Sequence, residues 1–81
     1  MARIHRFIIQ KTAFEYEVAI NGLNVTIEPT VQSNSEIHLT LATTLKILSE
    51  VHLRNSILDK HAHLALIEYF QEKEWAVHPV I

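Results

Sequence analysis

Apolar and polar residues alternate most clearly between Phe14 and Glu28, a stretch reading FEYEVAINGLNVTIE. Phe14, Tyr16, Val18 and Ile20 alternate with Glu15, Glu17 and Ala19. Beyond Asn21-Gly22, Leu23, Val25 and Ile27 alternate with Asn24, Thr26 and Glu28. A period of two marks strands with one buried face. Asn-Gly between two such runs marks a hairpin, because a type I′ turn needs φ > 0 at both central residues. With Asn21-Gly22 as the two-residue loop, Ile20 faces Leu23, Val18 faces Val25 and Tyr16 faces Ile27, all on one side of the sheet. On the other side Glu17 meets Thr26 and Glu15 meets Glu28. Two carboxylates directly opposite repel mildly. Solvation on an open face is the expected resolution, and a cation from a neighbouring strand or a partner is the alternative.

The pattern on either side of the hairpin is less regular. Arg3 to Gln10 (RIHRFIIQ) is rich in β-formers but apolar on both faces, with Ile4 and Ile8 on one and Phe7 and Ile9 on the other. Such a strand is central or covered on both sides. The short loop Lys11-Thr12-Ala13 lets it run antiparallel to the next strand, which brings Arg6 near Glu15 or Glu17. Pro29 ends the third strand by removing a ladder donor. After a connector over 29–35, Ser33 and Glu36 have the spacing of a capping box. Ile37, Leu41, Leu45, Leu48 and Val51 then fall within about 120° of a helical wheel, with Lys46, Glu50 and Arg54 roughly opposite. This predicts a helix over about residues 34–54. Glu36 to Leu41 also alternates as a strand would, but the 3.6 period persists through the whole segment.

Asn55 is suited to end that helix in the left-handed region, and Ser56 with Asp59 can cap the next one. A second helix from Ile57 to about Glu74 completes a tight αα-hairpin. Its main stripe is Leu58, Ala62, Ala65, Leu66 and Tyr69. Leu64 and Ile67 lie away from that stripe, so Ala62 to Phe70 is apolar nearly all round, the pattern of a helix buried on more than one side. The last segment, Trp75 to Ile81 (WAVHPVI), is also apolar. It docks either as a short edge strand, where Pro79 is tolerated, or into a partner. The predicted architecture is α+β, a two-layer sandwich over residues 1–81 as a single domain. A three-stranded antiparallel sheet packs on an αα-hairpin, with a possible short C-terminal edge strand.

Composition narrows the functional classes. With 81 residues the stability margin is thin, while 48% apolar residues, one glycine and two prolines argue against disorder. The chain has no cysteine, which excludes disulfides and thiolate chemistry. No apolar run is long enough to span a membrane. The apolar stretch after Arg3 and Arg6 is too short for a signal peptide. The lack of cysteine suits a reducing compartment, so the expected location is cytoplasmic, without a membrane partner. The sequon at Asn24-Val25-Thr26 lies inside a predicted strand and reads as chance. The net charge of −2 is uneven, with Arg3, Arg6 and Lys11 clustered in a first segment that has no acid. These three are the only candidate nucleic-acid contacts. A basic strand balancing an acidic neighbour accounts for them as well, and the predicted helices have no basic face.

The six histidines are the only candidate chemistry. His61 and His63 point about 160° apart on a helix and cannot share a metal. His61, Glu68 and Glu72 share a face, but Ala65 breaks the i, i+4 spacing that a helical ligand pair needs. His38 and His52 border the stripe of the first helix. His5 and His78 can meet only if the first strand and the tail are neighbours. No nucleophile has a supporting base and there is no phosphate-cradling loop, so no catalytic, cofactor-binding or metal residues are predicted and no cofactor is expected.

The surplus of apolar helix and tail predicts a non-enzymatic protein-binding module. We expect a homodimer or a protein partner, in the size range of bacterial or phage accessory, adaptor or inhibitor proteins. The predicted contact surface is Leu64, Ile67, Phe70, Trp75, Val77, Val80 and Ile81. A nucleic-acid binder using the basic first strand and a histidine- or metal-dependent enzyme are the alternatives.

Overall fold

A computed structural model describes residues 4–30, 35–56 and 62–80. The chain forms β1 (Ile4–Lys11), β2 (Phe14–Asn21), β3 (Asn24–Pro29), α1 (Glu36–Asn55), α2 (Ala62–Glu72) and β4 (Ala76–Pro79). The four strands make one antiparallel sheet in the order β3-β2-β1-β4, and both helices lie on the same side of it. This is the predicted α+β sandwich with its C-terminal edge strand present. In β4, Val77 sits opposite Ile9 and Pro79 opposite Phe7, so the proline occupies an edge strand as its missing donor requires. Strand β1 is central, as its apolar character on both faces implies. Phe7 and Ile9 enter the core, while Ile4 and Ile8 lie on the open face with only Ile8 half-buried.

The hairpin of β2 and β3 forms, but two residues out of the predicted register. Asn21 pairs with Asn24, Ile20 with Val25, Val18 with Ile27 and Tyr16 with Pro29. The loop is therefore Gly22-Leu23, with Gly22 at φ 64° and Leu23 outside the left-handed region. Positive φ at the first central residue alone is the type II′ pattern, which asks for glycine at that one position. A Cβ at Gly22 would meet nothing within 4 Å, so the demand is on the backbone dihedral and not on space. A shift of two preserves every side chain's face. Tyr16, Val18, Ile20, Val25 and Ile27 are all buried, and only Leu23 moves out of the pattern, to an exposed place in the turn. The carboxylates that oppose each other become Glu17 and Glu28.

Helix α1 confirms the helical reading of Glu36 to Leu41. Ser35 holds the N-cap position in extended conformation, and Leu39 N–H donates to its carbonyl at 3.2 Å. Ser33, the predicted cap, lies outside the described residues, as do Ile57, Leu58, Asp59 and His61. Asn55 stays helical, with Ser56 as the C-cap donating to the Leu53 carbonyl at 3.0 Å.

The larger correction is rotational. The buried residues of α1 are Ala42, Leu45, Ser49 and Leu53, flanked by half-buried His38, Leu41 and His52. The stripe predicted for the core shares only Leu45 and Leu41 with this set. The physical reason is a close seat over β3, which favours small Ala42 and Ser49 at the contact. Ser49 is tolerated because its hydroxyl donates to the Leu45 carbonyl at 2.6 Å, so no polar group is stranded.

Helix α2 lies beside β4 and α1 and buries Leu66 and Phe70, with Ile67 and Tyr69 packed against the core. It ends in a Schellman motif. Trp75 N–H donates to the Phe70 carbonyl at 3.0 Å, Glu74 N–H donates to the Gln71 carbonyl at 3.0 Å, and Glu74 takes φ 69°. The Trp75 and Phe70 rings, 6.4 Å apart and edge-on, supply the apolar contact that accompanies this cap. The same turn aims the chain into β4.

Candidate functional site

The seven residues predicted as a partner surface separate into two groups. Phe70 and Trp75 are core residues, 0% and 7% exposed. Phe70 packs edge-on to Phe7, and Trp75 lies 6.0 Å from the Tyr16 ring. The helix cap carries Trp75 inward, a consequence of tertiary geometry that the apolar run WAVHPVI does not reveal. Leu64, Ile67, Val77 and Val80 instead line a groove of about 540 Å³ between α2 and the edge formed by β1 and β4, with His5 and Phe7 on its far wall. Ile81 and Arg3 lie outside the described residues.

The described basic candidates, Arg6 and Lys11, are not brought together. Arg6 projects from the open face and approaches Glu17 at 3.8 Å, with both side chains about half exposed. The expected approach of Arg6 to Glu15 or Glu17 is thus met at Glu17, and at such exposure it contributes about 0–1 kcal/mol. Lys11 lies on the helix side of β1, where its ammonium donates to the Lys73 carbonyl at 2.8 Å and sits 5.6 Å from the Trp75 ring centre.

The described histidines are dispersed. His5 and His63 stack, with centroids 3.8 Å apart and planes 4° from parallel. His38 lies 4.9 Å from the Phe14 ring and His52 4.6 Å from Tyr69. His78 is opposite Ile8 on the open face, so β4 does neighbour β1 but turns His78 away from His5. Among the described residues no group of three or more histidine or acidic side chains is placed to hold a metal ion. No helix among them is long and apolar enough to cross a membrane.

The feature missed in the sequence is the outer face of α1. Ile37, Ile47, Leu48 and Val51 are 68%, 58%, 45% and 44% exposed. With half-buried Leu41 they form an apolar stripe interrupted only by Thr40 and Thr44. The spacing of Ile37, Leu41, Thr44, Leu48 and Val51 is four, three, four, three, the period of a coiled-coil seam. No charged side chain falls within it. The ends differ in sign, with Glu36 at the start of the helix and Arg54 at its close. The signal is present in the sequence as the predicted helix stripe, but most of that stripe faces away from the sheet.

A second pocket of about 540 Å³ opens where the β1–β2 turn meets both helices. Phe14, Leu41, Leu45, Tyr69, Phe70 and Trp75 form its apolar lining, and Lys11 and Lys73 stand at its rim. The Lys73 ammonium lies 5.8 Å from the Tyr69 ring centre. Tyr16, whose ring neighbours the lining residues Phe14 and Trp75, donates its hydroxyl to the His38 carbonyl at 3.3 Å, and burial pushes its pKa above the ordinary value.

No protein-family model matches this chain, and neither a curated protein nor a solved structure matches it.

Proposed function

We propose that this chain is a non-enzymatic protein-binding module whose primary partner is a second copy of itself, joined through the outer stripe of α1. The observation that carries this reading is the exposure of Ile37, Leu48 and Val51 on one helix face at coiled-coil spacing, with exposed Ile47 beside them. A heptad seam gains most by packing against a helix with the same pattern. An antiparallel two-fold pairing centred near Thr44 sets Ile37 level with Val51 and Leu41 within one residue of Leu48. It also places Glu36 beside Arg54 of the copy at both ends, so the charges select antiparallel over parallel pairing. An accessory, adaptor or inhibitor role accords with a surface that is apolar and lacks reactive groups.

Sedimentation equilibrium on the wild type and on the double variant Ile47→Glu, Val51→Glu tests the proposal. A concentration-dependent dimer that becomes monomeric in the variant, with unchanged circular dichroism, is the expected result. A wild type that stays monomeric at every concentration, or a variant that dimerises equally well, overturns it.

A further inference from the structure

The pocket at the junction of the β1–β2 turn with α1 and α2 points to a ligand chemistry. We propose that it binds a small amphipathic molecule, an aliphatic chain with a single anionic head, the head held by Lys11 and Lys73. Three observations carry this. The interior is apolar and aromatic, with a volume within the range of about 300–1,000 Å³ typical of small-molecule sites. Among the described residues the rim has two cations and no acid, in a chain whose net charge is negative. Neither lysine makes an ion pair among the described residues, where the pairs are Arg6 with Glu17 and Lys46 with Glu50. Lys11 spends one donor on the Lys73 carbonyl, and an ammonium has three.

Backbone strain converges on the same rim. Thr12 and Glu74 are the two described non-glycine residues at positive φ, 51° and 69°. Each directly follows a rim lysine, Lys11 or Lys73. Left-handed conformation is disfavoured for any side chain, most of all a β-branched one, and strain of this kind clusters at ligand sites. Here it turns the chain sharply after each lysine and leaves both ammonium groups over aromatic rings at the pocket mouth. An anion arriving there meets two preorganised donors, and its chain replaces water against Phe14, Leu41 and Tyr69.

The pocket contains the only tryptophan in the chain, so binding has a direct optical readout. Decanoate, kept below its micellar concentration, should change Trp75 emission saturably. Decanol, of equal chain length without the charge, should bind about tenfold more weakly, the loss expected for one charge-assisted hydrogen bond. The double variant Lys11→Met, Lys73→Met should weaken decanoate by a similar factor and leave decanol unchanged. Absence of saturable change with decanoate overturns the inference, as does decanol or decyltrimethylammonium binding as tightly as decanoate. The comparison of head groups on the wild type decides the matter even where the lysine variants fold poorly. Leu41 and Leu48 border both this pocket and the α1 stripe, whereas Ile47 and Val51 border only the stripe. Decanoate binding should therefore survive in Ile47→Glu, Val51→Glu, which separates failure of the pocket from failure of self-pairing.

Discussion

Helix α1 turns Ala42 and Ser49 toward the sheet and leaves Ile37, Ile47, Leu48 and Val51 outside, whereas α2 buries Leu66 and Phe70 and leaves Leu64 out. The two helices cover the same sheet from the same side. The difference lies in what each meets. Helix α1 lies along β3, with two buried small residues at the seat. Helix α2 stands beside the short strand β4, and Phe70 reaches across to Phe7 on β1. The lesson is that the most hydrophobic face of a helix is not always its buried face. Where bulky aliphatics are left outside at regular spacing, a second surface is being offered.

The strongest way to break this comparison is to truncate one residue from each face. Phe70→Ala should cost about 3–5 kcal/mol, since it removes a fully buried ring from contact with Phe7, Tyr69 and Trp75. Leu48→Ala should cost well under that in the isolated subunit. Urea unfolding at low protein concentration measures both, and equal losses would contradict the assignment of faces. Next in size is Ser49→Leu, which overfills the seat of α1 and should destabilise by about 1–3 kcal/mol. A neutral result would mean that α1 does not lie close to the sheet.

Smaller effects sharpen the picture. The Tyr16 hydroxyl is an acid whose ionised form burial disfavours, so its pKa in the fold stands above the unfolded value of 10.0. The fold keeps the proton longer than the unfolded chain does. The associated stability is complete below about pH 10, the unfolded value, and is lost as pH rises from there through the higher value in the fold. Denaturant midpoints measured across the alkaline range should fall more steeply for the wild type than for Tyr16→Phe. That variant should lose only about 0.5–1.5 kcal/mol at neutral pH, the usual contribution of one hydrogen bond. Smallest is Glu74→Gly, expected to stabilise by about 0.5–1 kcal/mol by relieving the left-handed cap of α2. A loss of stability there would show that the glutamate side chain makes a compensating contact.

Tyr16, Val18, Ile20, Val25 and Ile27 were legible as the core side of a hairpin because period-two alternation survives any register shift of two. The register itself was not, since Asn21-Gly22 and Gly22-Leu23 both place the single glycine where φ is positive. The edge position of Pro79 was likewise readable from the chemistry of one residue. Both helices were legible from their period, but their rotation was not. On α1 two overlapping stripes differ by roughly a quarter turn, and only the shape of the surface beneath decides which one is buried. The same holds for the rim of the pocket. Lys11 and Lys73 are 62 positions apart, and nothing local in either segment announces the other. Local periodicity and turn chemistry are properties of neighbours in sequence, so the chain alone determined its elements and the sidedness of its strands. Helix rotation, the inward turn of Trp75 and the meeting of the two lysines depend on contacts between distant segments, and these exist only once the layers have packed.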